Sequence, residues 1–182
     1  MSRVGNSPIP LPQEVEVQIQ PGEVTIKGPK GTLTQALLPE VQVELQDGQL
    51  VVWRLAETRR HRAMHGLTRS LLHNMVVGVV QGYQRTLELM GVGYRVQQAG
   101  EGIVLNVGYS HPVSIQPLPG VQLAVEGNNR IHVRGTDKQR VGEMAAIIRR
   151  VRPPNRYKPK GIKYAEEVLR LKPGKSAARK AL

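Results

Sequence analysis

Leu38-Pro39-Glu40-Val41-Gln42-Val43 returns as Leu118-Pro119-Gly120-Val121-Gln122-Leu123, 80 residues further along. The same gapless offset pairs Gln18 with Gln98, Gly22 with Gly102, Val24 with Val104, Gly28 with Gly108 and Arg54 with Arg134. The apolar alternation is shared as well. Val41, Val43 and Leu45 align with Val121, Leu123 and Val125, and Val51 and Trp53 align with Ile131 and Val133. Shared turn residues inside a shared pleat pattern indicate a body built twice, each copy on the scale of a small domain.

Each copy reads as short strands followed by one helix. The first places strands at 15–19, 24–27, 32–37, 41–45 and 50–54, broken by Pro21-Gly22, Gly28-Pro29-Lys30-Gly31, Pro39 and Asp47-Gly48. A helix follows from near Thr58, with Met64, Leu67, Leu71, Met75 and Val79 as its apolar stripe. The second copy places strands at 86–90, 94–98, 103–107, 113–116, 121–125 and 130–134. Its helix is expected to start at Thr136, where Thr136-x-x-Gln139 suits a capping box, and to bury Val141, Met144 or Ala145, and Ile148. Pro153-Pro154 ends it, because proline has no amide hydrogen to continue the ladder.

The expected fold class is therefore α+β: two tandem similar domains, each a small mainly antiparallel sheet packed against one helix, plus an extended basic C-terminal arm. The expected bounds are 1–82, 83–152 and 153–182, with the arm partly packed on the second domain through Ile162, Tyr164, Val168 and Leu169.

Charge is concentrated in that arm. The chain carries a net charge of +12. From Arg149 to Leu182 there are twelve Lys/Arg against Glu166 and Glu167, so this stretch alone carries +10. A near-neutral body with a basic tail points to a polyanion, since each phosphate neutralised releases condensed counterions. A membrane-surface arm wants large apolar residues opposite its charges, and Pro153–Lys163 offers only Tyr157 and Ile162. Nucleic acid is the expected partner class. Tyr157 and Tyr164 can stack on bases, and Arg150, Arg152 and Arg156 can bridge phosphates bidentately. The chain has no Cys, which removes disulfides and thiolate chemistry. With no apolar run approaching a membrane span and no apolar leader after Met1, a soluble intracellular protein is the expectation.

Catalytic patterns are thin. Gly91-Val92-Gly93-Tyr94-Arg95 lacks the third glycine of a dinucleotide loop and opens a strand, so turn glycines are the better reading. Gly28-Pro29-Lys30-Gly31 has the spacing of an RNA-clamping G-x-x-G but lies between strands, where a β-turn fits better. His61, His65 and His73 share helical spacing, yet Arg59, Arg60, Arg62 and Arg69 oppose a cation there. That basic face suits RNA contact and a solvated helix surface equally. Ser110 and His111 are adjacent but have no orienting acid, and neighbours on a strand point to opposite faces. No enzyme activity, metal or cofactor is expected.

In order along the chain, Ser2-Arg3-x-Gly5-x-x-Pro8-Ile9, Lys27-Gly28-Pro29-Lys30-Gly31 and His65-Gly66-Leu67-Thr68-Arg69 are followed by Gly91-Val92-Gly93-Tyr94-Arg95 and Gly108-Tyr109-Ser110-His111-Pro112-Val113. Then come Gly135-x-Asp137-Lys138-Gln139-x-Val141-Gly142, Tyr157-Lys158-x-Lys160-Gly161-Ile162-Lys163-Tyr164 and Leu171-Lys172-Pro173-Gly174-Lys175. With these motifs the chain resembles the bacterial large-subunit ribosomal protein L-six family over essentially its full length. The resemblance implies two similar α+β domains and a structural role on large-subunit ribosomal RNA near the sarcin–ricin region. It also implies neighbouring ribosomal proteins at the base of the lateral stalk and translational GTPases docking nearby. No membrane partner and no homo-oligomer are expected. RNA contact is carried onto Ser110, His111, Lys138, Arg156, Tyr157, Lys158, Lys160, Lys163, Tyr164, Lys172 and Lys175. The basic arm adds Arg149, Arg152, Arg179 and Lys180. A non-ribosomal RNA chaperone or general nucleic-acid-binding protein is the alternative.

Overall fold

A computed structural model describes residues 4–174. The described chain divides into two compact units. The first takes in the chain up to Tyr83 together with Thr136–Lys138, and the second takes in Gln84–Gly135 and the chain from Gln139 onward.

In the first unit, β2 (Glu16–Gln20), β3 (Glu23–Gly28) and β4 (Gly31–Ala36) form one antiparallel three-stranded sheet. A second antiparallel sheet runs β1 (Ile9–Pro10), β6 (Gln49–Arg54), β5 (Val41–Gln46). The β5–β6 turn is Asp47-Gly48, both in the left-handed region (φ 47° and 72°), the two-residue turn whose twist matches paired strands. Alternate residues Val24, Ile26, Leu50 and Val52 point inward and pack with Leu72, Met75, Val76 and Val79 of α1 (Arg59–Val80). Thr58 caps the helix, its Oγ1 accepting from the His61 amide at 3.3 Å.

The buried face of α1 departs from the expected stripe. Leu67 is exposed, and the interior positions of the first turns go to His65 and Thr68. The His65 ring bonds the Val52 carbonyl through Nε2 at 2.8 Å, and its Nδ1 faces the Arg54 guanidinium at 3.3 Å. A hydropathy pattern ranks Met64 and Leu67 above His and Thr. A buried polar group with satisfied partners reverses that ranking.

In the second unit, β8 (Arg95–Ala99), β9 (Gly102–Asn106) and β10 (Val113–Ile115) form an antiparallel sheet in the order β10-β9-β8. The other sheet runs β11 (Val121–Glu126), β12 (Arg130–Gly135), β7 (Tyr83–Met90), β13 (Gly161–Tyr164). α2 (Lys138–Val151) starts two residues later than Thr136 and buries Val141, Met144, Ala145 and Ile148, as its spacing requires.

Strand registers correct the gapless 80-residue offset. Ile26 pairs with Leu33 in the first copy and Leu105 with Val113 in the second, so β3 maps onto β9 at 79 and β4 onto β10 at 80. Leu45 pairs with Leu50 and Val125 with Ile131, so β5 maps onto β11 at 80 and β6 onto β12 at 81. Thus Leu50 and Val52, not Val51 and Trp53, are the counterparts of buried Ile131 and Val133; Trp53 is half exposed. The second copy has gained one residue in the β9–β10 loop and one in the β11–β12 loop. In a pleat, each such step swaps the face of every side chain beyond it.

Candidate nucleic-acid interface

The arm begins where α2 stops. Pro153-Pro154 turns the chain, and β13 then pairs antiparallel with β7 from Gly161↔Met90 to Tyr164↔Leu87. Ile162 is fully buried and its amide donates to the Arg152 carbonyl at 2.8 Å. Gly161 has φ 152° and lies against Arg152 and Pro154; a Cβ there would fall 2.7 Å from the Pro154 nitrogen and 2.8 Å from the Arg152 oxygen. Val168, expected to help anchor the arm, is exposed, and Leu169 is half-buried. Further on, the Lys172 amide donates to the Arg156 carbonyl at 2.8 Å. The chain therefore folds back, and its later cations return beside its first ones.

The cations divide by what holds them. Arg149 makes a two-pronged pair with Glu167, with its guanidinium 5.5 Å from the centre of the Tyr164 ring. This pairing draws the Glu167 carboxyl below its usual range and raises the Arg149 pKa. The Tyr164 amide donates to Glu167 Oε2 at 3.2 Å, and Lys163 pairs with Glu88 at 3.5 Å. Arg149, Lys163 and Tyr164 are thus engaged in seating the arm. By contrast, Arg156, Lys158, Lys160 and Lys172 are exposed and have no acidic partner among the described residues; the same holds for Arg150, expected from the sequence to bridge phosphates, and for Arg170, to which the sequence assigned no role. Tyr157 stands 58 % exposed among them, on a turn where its amide donates to Asn155 Oδ1 at 3.2 Å.

A second cluster of the same unit gathers at the β9–β10 loop. Ser110 and His111 are exposed there. The imidazole of His111 stacks on Tyr109, with centroids 6.2 Å apart and planes 19° apart. Tyr109 donates its hydroxyl to the Val151 carbonyl at 2.8 Å, and Arg152 lies 4.9 Å from its ring centre. The hydroxyls of Tyr109 and Tyr94 hold Arg152 more firmly in its charged form. Sequence alone singles out neither tyrosine as a site residue, because as isolated letters on two different loops they carry no spacing signal.

Lys138 belongs to the first unit, where its ammonium bonds Asn74 Oδ1 at 3.2 Å and lies 5.7 Å over the Tyr83 ring. Lys175, Arg179 and Lys180 lie outside the described residues. On α1, Arg60 pairs with Glu40 at 2.6 Å, and Arg69 donates to the Ser7 and Pro8 carbonyls at 3.1 and 3.3 Å, so these two hold the unit together. Arg59 and Arg62 are exposed. Among the described residues, no group of three His, Asp or Glu side chains could hold a metal, and no helix is long and apolar enough to cross a membrane.

The family model described as Ribosomal protein L6 matches residues 11–82 and again 90–165. The chain belongs to the ribosomal protein L6 family. The two matched stretches fall on the two copies of the duplicated body. Among L6 relatives, the large ribosomal subunit protein uL6 of Caldanaerobacter subterraneus subsp. tengcongensis is 54% identical over 97% of this chain and 98% of its own length. Those of Caldicellulosiruptor saccharolyticus and Rubrobacter xylanophilus are 53% and 54% identical, each over 97% of this chain and over 97% and 99% of their own lengths. The matched stretches take in residues of both units and the arm as far as β13.

Proposed function

We propose that the chain is a structural constituent of the large ribosomal subunit that binds 23S rRNA and stabilises its fold. Its place is near the sarcin–ricin region, the base of the lateral stalk and the docking site of translational GTPases. Its surroundings there are other ribosomal proteins, in the cytoplasm. One observation carries the reading: Arg156, Lys158, Lys160 and Lys172 are brought together without acidic partners among the described residues, on an arm seated by its own strand. Such charges bind phosphates and set position, and they read no base sequence. Residues 1–82 and 83–152 serve as successive α+β domains, and 153–182 as the RNA-binding arm. The role is structural and uses no cofactor.

Gradient sedimentation of a cell extract tests this. Near-stoichiometric co-migration with the large subunit in moderate salt is the expected result. A spread through light fractions would favour a free RNA chaperone and overturn the proposal. A chemical footprint of the subunit with and without the protein then locates the site.

A further inference from the structure

We propose that the Tyr109–His111 stack is a seat for one unpaired nucleobase of the bound RNA, with Arg152 drawing in its phosphate. The proposal rests on the rRNA-binding reading and adds to it a mode of contact. The chain has no Phe and only five Tyr, yet the Arg152 guanidinium lies 4.9 Å from the Tyr109 ring centre, and the hydroxyls of Tyr109 and Tyr94 favour its charged form. His111 adds an exposed flat ring nearly parallel to Tyr109, with centroids 6.2 Å apart. The arrangement is held in place. The Tyr109 hydroxyl is tied to the Val151 carbonyl, which fixes the ring plane at the end of α2. Tyr94 is wedged between two loops: a Cβ on Gly91 would fall 2.9 Å from its ring, and one on Gly108 3.2 Å.

The first copy has no such loop. Its β3–β4 turn is closed by two residues, Pro29 and Lys30, whereas β9 and β10 are joined by Val107–Pro112. One of the two extra residues of the second copy falls in the loop that presents Tyr109, Ser110 and His111. Arg152 has no carboxylate partner among the described residues, so its charge is available to an incoming phosphate. A preset aromatic surface beside an uncompensated cation suits a splayed-out base of a loop or bulge. A regular duplex hides its base faces and cannot use such a seat.

The test measures binding of the full chain to protein-free large-subunit RNA, with wild type, His111→Ala and His111→Phe. Position 111 is exposed, so neither change touches the core; circular dichroism confirms the fold. A stacked base predicts that His111→Ala raises Kd about 5- to 150-fold, with the dependence on salt unaltered. His111→Phe keeps a flat ring and should stay within about threefold of wild type. Methylation probing should show one unpaired base newly reactive with His111→Ala and protected again with His111→Phe. An unchanged Kd for His111→Ala overturns the seat while leaving rRNA binding intact. Equal losses for the two variants assign His111 a hydrogen-bonding role and also overturn it. Failure of wild type to bind the RNA at all would sink the functional reading itself, and the seat with it.

Discussion

Arg149 and Glu167 are joined by two hydrogen bonds, Nε to Oε2 at 3.1 Å and Nη2 to Oε1 at 2.7 Å, so the last turn of α2 grips the turn that follows β13. The guanidinium, helped by the Tyr164 amide, lowers the Glu167 pKa. A carboxylate lowered in the native state contributes stability that is fully present above its unfolded pKa, roughly 4.3, and is lost as pH falls through the native value. Glu167→Gln should therefore loosen the arm at neutral pH by about 1–2 kcal/mol, seen as faster exchange of the Ile162 amide. The variant should also lose much of the wild type's acid-dependent loosening below about pH 4.3. Hydrogen exchange followed by NMR checks both. Identical exchange in the two proteins would show that the clamp does not hold the arm.

Gly161→Ala should unseat β13. Its φ of 152° is one that side chains rarely adopt, and the new Cβ would press on backbone atoms of Arg152 and Pro154, which cannot swing aside as a flexible side chain would. A local cost of about 2 kcal/mol or more is expected. Limited proteolysis should then cut between Arg156 and Lys172 at protease concentrations that leave wild type intact, and RNA affinity should fall although no cation has been removed. Wild-type resistance to cleavage would show that the chain can shift to accept the Cβ.

The sequence made the duplication, the alternating strands and the α2 core face legible because each rests on apolar period, which survives without tertiary information. The single-residue shifts of register escaped because a gapless comparison of Val51 with Ile131 still matches one apolar residue to another. Only pairing showed that Leu50 is the counterpart of Ile131. Within the candidate site, the charge of the arm was readable but its division was not. Lys158 and Lys163 look alike as letters, yet one is exposed and the other is 18% exposed beside Glu88. Whether a lysine is held internally depends on β13 pairing with β7, a contact between segments about 70 residues apart.

The longer β11–β12 loop of the second copy carries its own bonds. Asn128 accepts from the Val96 amide at 2.9 Å, and Asn129 accepts from the Leu89 amide at 2.8 Å, so the loop ties β8 and β7 to this hairpin. Deleting Asn128 would restore a two-residue turn like Asp47-Gly48, but it would remove an acceptor for a strand amide. The expected cost is about 1–3 kcal/mol in the second unit, the range for leaving one such group unpaired. Urea unfolding, followed by Trp53 for the first unit and by the tyrosine signal, to which the second unit gives four of the five tyrosines, should show the loss in the tyrosine signal and none in that of Trp53. Equal stability would mean that the added residue is only a spacer.

Salt dependence separates binding cations from anchoring ones. Lys158, Lys160 and Lys172 are exposed without acidic partners among the described residues, so each changed to Ala should reduce the slope of log Kd against log salt by about 0.7–0.9 for every phosphate it would otherwise neutralise. The triple variant should lower the slope by about two units or slightly more. Lys163→Ala should behave differently. Its ammonium lies 3.5 Å from Glu88 Oε2 and 3.5 Å from the Glu167 carbonyl, so its charge is largely answered within the protein. Its removal should leave the slope nearly unchanged while speeding exchange of the β13 amides. Filter binding of protein-free large-subunit RNA at several potassium concentrations gives the slope of each variant. A Lys163→Ala slope reduced as much as that of Lys158→Ala would show that RNA draws Lys163 away from Glu88, and that the arm rearranges when it binds.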